Sequence, residues 1–134
     1  MKTKQIWANL ATNDLERTIQ FYTALGFKHH NSGGSPADEL TSFSFGGDDF
    51  IINFFRKDIL QKNTRTEFAD LQYGSEIMFS LSAESRDEVN EWVELVKKAG
   101  GKITAPPYEI GPGYTFVFAD PDGHRFNVLY WPGM

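Results

Sequence analysis

Two asparagines occupy matching positions in two stretches of similar sequence. Asn53 lies in GGDDFIINFF (residues 46–55), and Asn127 lies in ADPDGHRFNVLYW (residues 119–131). In each stretch an acidic turn precedes a mostly apolar run that contains one asparagine. An amide both donates and accepts hydrogen bonds, so the pair is suited to holding a small organic ligand. The similarity of the two stretches also indicates that the chain contains a duplicated unit.

Glu76 is the carboxylate with the clearest candidate role in catalysis or binding. It begins the alternating stretch EIMFSLS (residues 76–82). If the fold buries Glu76, the carboxylate would act as a general base. It would equally anchor a cation, or form an ion pair with a nearby arginine or lysine. Asp120 and Asp122 look like a second carboxylate pair, but they lie around a proline and before a glycine, so turn formation explains them.

The three histidines do not follow a metal-binding spacing. His29 and His30 are adjacent, so in a strand they point to opposite faces and cannot easily share one ion. His124 lies in the closing turn of the chain. We expect each of them to be an exposed or turn residue. No phosphate-binding glycine loop, zinc-helix motif or nucleophile elbow occurs either.

Composition excludes several classes of function. The 134 residues fit one domain, and 40% hydrophobic and 15% aromatic residues suffice for a core and a lined cavity. The absence of cysteine excludes disulfides and thiolate chemistry. A net charge of −5 with scattered basic residues argues against nucleic acid. Neither an apolar membrane span nor a signal peptide is expected, which favours a cytoplasmic protein.

Periodicity predicts the same order of elements twice: a strand, a helix and three strands. Module one covers about residues 1–57, a connector about 58–74, and module two about 75–134, all in a single domain. In the first strand, residues 4–12, we expect Ile6 on the core face and Trp7 on the other face. The connector has no clean period and is expected to hold at most one short helical turn. In module two, the prolines and glycines of residues 105–114 predict a loop.

Two such modules imply an α+β fold, in which each helix covers one face of a small sheet. The uncovered faces must meet a second sheet or enclose something. We therefore expect two βαβββ modules that form a curved sheet around a cleft.

NDLERTIQFYTALGF (residues 13–27) and FADPDGHRFNVLYW (residues 118–131) resemble the opening helix and the closing hairpin of the vicinal oxygen chelate superfamily. That superfamily includes glyoxalase I, bleomycin-resistance proteins, fosfomycin-resistance enzymes and extradiol dioxygenases. The resemblance spans essentially the whole chain and implies the glyoxalase/bleomycin-resistance/dioxygenase-like fold. It does not define one activity, because the superfamily hosts many chemistries.

Metalloenzymes of this superfamily use four strand positions, typically two His and two Glu, as ligands of a divalent metal. The resemblance places these positions on Trp7, Asn53, Glu76 and Asn127. Only Glu76 is a strong ligand, because an amide carbonyl is a weaker donor than a carboxylate and an indole has no usable lone pair. We therefore predict no metal site and no cofactor, and keep a divalent metal as the alternative.

Strand alternation, anchored on those four positions, predicts the surface that would line the cleft. Its expected residues are Trp7, Asn9, Asn53, Phe55, Glu76, Met78, Ser80, Asn127 and Leu129. Aromatic rings and amides with one acid suit a small organic ligand that is held by stacking and hydrogen bonds.

Three functions remain open. The first is a metal-free binding protein, similar to the bleomycin-resistance branch, that sequesters a small compound, with a cation as one option. The second is a glyoxalase-type, lactoylglutathione lyase-like enzyme that uses a metal for a lyase or isomerase reaction. The third is a metal-free enzyme with Glu76 as base. The resemblance also implies a homodimer, with Trp131 and the connector as candidate interface pieces.

Overall fold

A computed structural model describes residues 1–30 and 37–134, and the chain divides into two compact units, Met1–Ala69 and Asp70–Met134. The first unit contains β1 (Ala8–Thr12), α1 (Leu15–Ala24), β2 (Lys28–His30), β3 (Leu40–Phe45), β4 (Phe50–Arg56) and α2 (Lys57–Thr64). The second unit contains a short 3-10 helix (Leu71–Tyr73), β5 (Met78–Ala83), α3 (Arg86–Ala99), β6 (Lys102–Ile110), β7 (Gly113–Ala119) and β8 (Arg125–Tyr130). None of the helices in the described part of the chain is long and apolar enough to cross a membrane.

Each unit builds one four-stranded mixed sheet with the same topology. The strand order is β1-β4-β3-β2 in the first unit and β5-β8-β7-β6 in the second. The first strand of each unit pairs in parallel with the last, and the other neighbours are antiparallel. The predicted repeat of strand, helix and three strands is therefore confirmed, as is the α+β fold class.

Local signals in the sequence fix the ends of the two long helices. The Asp14 side chain accepts from the Arg17 backbone N–H at 3.0 Å and so caps α1. Gly26 follows α1 with φ of 91°, a conformation that glycine adopts without a steric penalty. Ser85 caps α3, because its Oγ accepts from the Glu88 N–H at 3.0 Å.

Apolar side chains fill the space between each sheet and its helix. In the first unit, the Tyr22 ring of α1 is fully buried, and its centroid lies 4.7 Å from that of Phe54 and 5.6 Å from that of Phe43. In the second unit, Phe118 and Phe126 stack at 5.2 Å. The buried residues of α3 are Val89, Val93 and Val96.

The first strand is shorter than predicted. Pairing with β4 begins at Ala8, which lies opposite Ile52, so residues 1–7 have no place in the sheet. Ile6 was expected on the core face, but its side chain is 80% exposed. The prediction for Ile6 is wrong because period-2 alternation carries a side chain into the core only where the strand is paired.

The connector contains more helix than predicted. Residues 57–64 form α2, an eight-residue helix, and the residue that follows it, Arg65, is in the left-handed conformation with φ of 52°. Leu60 is the one buried residue of α2. A helix that buries a single apolar side chain lacks the repeated apolar positions from which a helix is predicted in a sequence.

The predicted loop at residues 105–114 is largely strand. β6 continues to Ile110 across two prolines, with register shifts between Ile103 and Ala105 and between Ala105 and Tyr108. β6 is an edge strand, and a proline is tolerated at an edge or a bulge because its missing N–H removes no essential ladder bond. Composition alone does not distinguish that case from a loop.

The turn between β7 and β8 is organised by one buried carboxylate. Asp120 Oδ1 accepts from the backbone N–H groups of Asp122 at 3.0 Å and His124 at 2.9 Å, and Asp120 Oδ2 lies 2.7 Å from His124 Nδ1. The structural role predicted for Asp120 is therefore confirmed. His124 is a turn residue as expected, but it is buried rather than exposed.

We expect Gly113→Ala to lower the free energy of unfolding by about 1 to 3 kcal/mol, the usual range for adding a side-chain atom to a site that is already well packed. A Cβ at this position would lie 2.6 Å from Trp131 Cε3 and 2.7 Å from the Tyr130 carbonyl oxygen. Gly47→Ala is the matched control, because a Cβ there meets nothing within 4 Å. Urea unfolding of both variants checks the prediction, and equal midpoints would contradict it.

Candidate functional site

In the first unit, the face opposite α1 carries the asparagines and serines of the sheet. Tyr22 contacts Phe43 and Phe54, so these residues face the helix, and their neighbours along each strand face the other way. The ladder registers assign to the face opposite α1 the residues Asn9, Ala11, Lys28, His30, Leu40, Ser42, Ser44, Ile51, Asn53 and Phe55.

Asn53 lies at the centre of this face and bonds to both neighbouring strands. Ser42 Oγ of β3 donates to Asn53 Oδ1 at 2.6 Å, and Asn53 Nδ2 donates to Asn9 Oδ1 of β1 at 3.1 Å. Each such bond contributes about 1 kcal/mol net. The three side chains form a polar row that crosses three strands.

In the second unit, the face opposite α3 has the same construction. Tyr114 Oη donates to Asn90 Oδ1 of α3 at 2.9 Å, so Tyr114 marks the helix side of β7 and Thr115 lies on the other side. Ser80 Oγ of β5 donates to Asn127 Oδ1 at 2.5 Å, and Asn127 Nδ2 donates to Thr115 Oγ1 at 3.2 Å. A polar row again crosses three strands.

The first two members of each row occupy corresponding ladder positions, whereas the third do not: Ser42 lies opposite Asn53, but Thr115 lies opposite Leu129. Asn9 pairs with Asn53 in the first unit, and Ser80 pairs with Asn127 in the second. The alignment of the two asparagines from sequence therefore matches their places in the fold. The third member of each row, Ser42 or Thr115, was not predicted from the sequence. A polar residue at alternate positions of LTSFSF was the available signal for Ser42.

The other predicted lining residues lie on or beside these faces. Phe55 is on the face opposite α1, and Leu129 is on the face opposite α3, where it pairs with Thr115. Met78 begins β5 and is 49% exposed. Trp7 precedes β1, is not a strand residue, and is 52% exposed.

Glu76 is not in the strand that was predicted to carry it. β5 begins at Met78, so Glu76 lies two residues before the strand, and its side chain is exposed. The predicted strand start at residue 76 is wrong because the ladder with β8 begins at Met78, opposite Arg125. The burial that base catalysis requires of Glu76 is not met.

The donor set at the four family positions does not fit a divalent metal. Trp7 offers no lone pair. Asn53 and Asn127 each have a carbonyl oxygen that already accepts a serine hydroxyl. Across residues 1–30 and 37–134, no three His, Asp or Glu side chains come close enough to hold an ion. The absence of a cofactor stays a prediction.

The two adjacent histidines diverge as predicted, and each bonds to a hydroxyl of β3. His29 Nε2 lies 2.7 Å from Thr41 Oγ1, and the His29 ring lies 4.9 Å from the ring of Phe43, on the helix side. His30 Nε2 lies 2.9 Å from Ser44 Oγ, on the face opposite α1. Only His30 therefore belongs to the same face as Asn53.

A separate groove of about 370 Å³ lies where β1 and β4 end. It is lined by Thr12, Asn13, Arg56, Lys57, Asp58 and Gln61. Arg56 Nη2 donates to Asp58 Oδ2 at 2.6 Å, and this bond lowers the pKa of the Asp58 carboxyl. The charges of Arg56 and Asp58 therefore largely satisfy each other.

Known proteins resemble this chain in sequence and in fold. A "Probable lactoylglutathione lyase, chloroplastic" from Arabidopsis thaliana is 30% identical over 135 residues, which cover 96% of this chain and 36% of that protein. A hypothetical protein, SA1046 from S. aureus, superimposes with a TM-score of 0.84 at 29% identity, covering 98% of this chain and 96% of that one. A glyoxalase-related enzyme from Fulvimarina pelagi does so with a TM-score of 0.81 at 20% identity, covering 97% and 90%, and shows the fold alone.

The model of the Glyoxalase/Bleomycin resistance protein/Dioxygenase superfamily matches residues 4–128. The chain belongs to this superfamily. It spans 36% to 40% of the length of the curated relatives that it matches.

Proposed function

We propose that this protein binds a small organic molecule without the divalent metal that metalloenzymes of its superfamily use. The supporting observation is the state of Asn53 and Asn127. Both amides replace the acids that the family resemblance implies, and both carbonyl oxygens accept serine hydroxyls. An amide that is held in this way presents hydrogen-bonding edges rather than a metal ligand. Sequestration, similar to that by the bleomycin-resistance branch, is the activity that such a face performs most directly.

A glyoxalase-type lyase is the second candidate, and one observation favours it. Both curated relatives carry the name lactoylglutathione lyase. The chain matches only part of their length, so the activity of the whole relatives does not transfer with the similarity. A metal-free enzyme with Glu76 as base is the third candidate, and the exposure of Glu76 counts against it.

Metal analysis separates the first two candidates. Protein purified without chelator is measured by elemental analysis and then titrated with Zn²⁺, Ni²⁺, Mn²⁺ and Fe²⁺. The binding proposal expects less than one tightly held ion per chain, and no difference between the wild type and Glu76→Ala. One equivalent of metal that is lost in Glu76→Ala would favour the lyase instead.

We expect Asn53→Leu to weaken ligand binding by about tenfold, since it removes an amide worth one to two hydrogen bonds. The measurement is calorimetric titration of the compound that raises the melting temperature most in a small-molecule screen. Asn63→Leu is the matched control, because Asn63 is an exposed residue of α2. Turnover of the compound by the wild type would instead support the metal-free enzyme.

The homodimer and the cytoplasmic location stay predictions. Sedimentation at micromolar protein concentration tests the dimer. A monomeric mass would contradict it.

A further inference from the structure

The strands carry almost no negative charge, although the chain as a whole is acidic. The protein has 18 Asp and Glu residues and a net charge of −5. Among the strand residues that the structure describes, only Glu109 is acidic. The same strands contain the basic residues and histidines Lys28, His29, His30, Arg56, Lys102 and Arg125. Strand propensity does not explain this imbalance, because Lys is depleted from strands much as Glu is.

The one acidic strand residue is on the helix side of its sheet. Glu109 of β6 forms an ion pair with Arg86 of α3, and this bond raises the pKa of the Arg86 guanidinium. The Arg86 guanidinium also lies 5.2 Å from the centre of the Tyr114 ring. The face opposite α1 and the face opposite α3 therefore carry no carboxylate among their described strand residues.

On the face opposite α1, two cationic or protonatable groups lie side by side at one edge. Lys28 and His30 are two residues apart in β2, an edge strand, and so point to the same side. Lys28 pairs with Ser44, and His30 bonds to the hydroxyl of that same serine at 2.9 Å. Lys28 has no ion-pair partner among the residues that the structure describes.

Two parallel rows lead from this edge towards the centre of the sheet. The first runs from Lys28 through Ser44 to Ile51, and the second from His30 through Ser42 to Asn53. Neighbouring strands lie about 4.8 Å apart, so each row spans about 10 Å, the size of a small aromatic molecule. The first row offers the charge of Lys28 and the apolar side chain of Ile51. The second row ends at the amide of Asn53.

We infer that the β2 edge of this face binds the carboxylate of a small molecule whose apolar body lies over Ile51 and whose polar substituent reaches Asn53. This inference rests on the proposed binding function and specifies the charge of the ligand as negative. Lys28 supplies the countercharge. His30, which Ser44 orients through Nε2, offers its other ring nitrogen as the directional donor.

The test uses three probes with the same ring system: 1-naphthoate, 1-naphthamide and 1-naphthylmethylammonium. We expect the wild type to bind the carboxylate about tenfold more tightly than the neutral amide, and the cation least, in calorimetric titration. Tenfold corresponds to about one charge-assisted hydrogen bond. Lys28→Met and His30→Gln should each weaken the carboxylate about fivefold or more and leave the amide unchanged.

His29→Gln is the matched control, because His29 is the adjacent histidine on the helix side of the same strand. A loss of carboxylate binding in His29→Gln equal to that in His30→Gln would overturn the inference, as would equal or tighter binding of the cation. Suppose instead that Asn53→Leu weakens the binding of 1-naphthamide, but the wild type binds 1-naphthoate no more tightly than 1-naphthamide. The proposed function then stands and this inference fails. Binding of none of the three probes up to about 1 mM, or about −4 kcal/mol, contradicts both.

Discussion

Tyr22→Ala will lower the free energy of unfolding by about 3 to 5 kcal/mol, the usual range for removing a large buried aromatic ring. The Tyr22 side chain is fully buried. It contacts five other aromatic rings, those of Phe21, Phe27, Phe43, Phe45 and Phe54. No neighbour can move into the vacated volume without breaking its own ring contacts, so the cavity term adds to the lost transfer energy.

Urea unfolding followed by circular dichroism measures this effect. Tyr73→Ala removes the same side chain from a residue that is 84% exposed, and it should change the free energy of unfolding by less than about 0.5 kcal/mol. If the two variants lose similar stability, Tyr22 is not the centre of the first core. Tyr22→Phe retains the ring and should recover most of the loss.

Asp120→Ala will lower the free energy of unfolding by about 3 kcal/mol, because it leaves several polar groups without their hydrogen-bond partner. The carboxylate accepts two backbone N–H bonds and contacts the ring of His124, and both side chains are buried. Its removal leaves those donors without this acceptor beside a buried imidazole. Asp120→Asn keeps one acceptor oxygen and should cost less than alanine.

The duplicated fold supplies the control for this turn. Asp48 occupies the corresponding acidic turn of the first unit, but its side chain is exposed. Asp48→Ala should therefore change the midpoint of thermal unfolding by no more than a surface substitution does. A drop in Asp48→Ala as large as that in Asp120→Ala would mean that the buried carboxylate has no special role.

The sequence predicted the repeat and the matching places of its two asparagines better than it predicted the ends of the elements. Asn53 and Asn127 are recognisable because a lone amide in an apolar strand is unusual at both places. Their partners Ser42 and Thr115 lie 11 and 12 positions earlier, in the neighbouring strand of each hairpin, and the ladder register decides which residues of that strand reach the asparagine. Register is a tertiary property that alternation within one strand does not define.

Two misplaced residues show the same limit. Ile6 and Glu76 both lie just before the first strand of their units, where alternation continues in the sequence but pairing in the sheet does not. Their predicted environments, core for Ile6 and a ligand-lining strand for Glu76, depended on that pairing. The pairing of charges could not be predicted from the sequence either, because the ion pair between Arg86 and Glu109 joins residues that are 23 positions apart.

The parallel pairing of the first and last strands in each unit also has a consequence for biosynthesis. Asn9 and Asn53 are 44 positions apart, and Ser80 and Asn127 are 47 apart. Neither sheet gains its fourth strand until the last strand of its unit, β4 or β8, has left the ribosome, and closing so long a loop slows that step. The first unit reaches this point well before the second has been translated, so we expect a nascent chain that holds one finished half while the other is still being made.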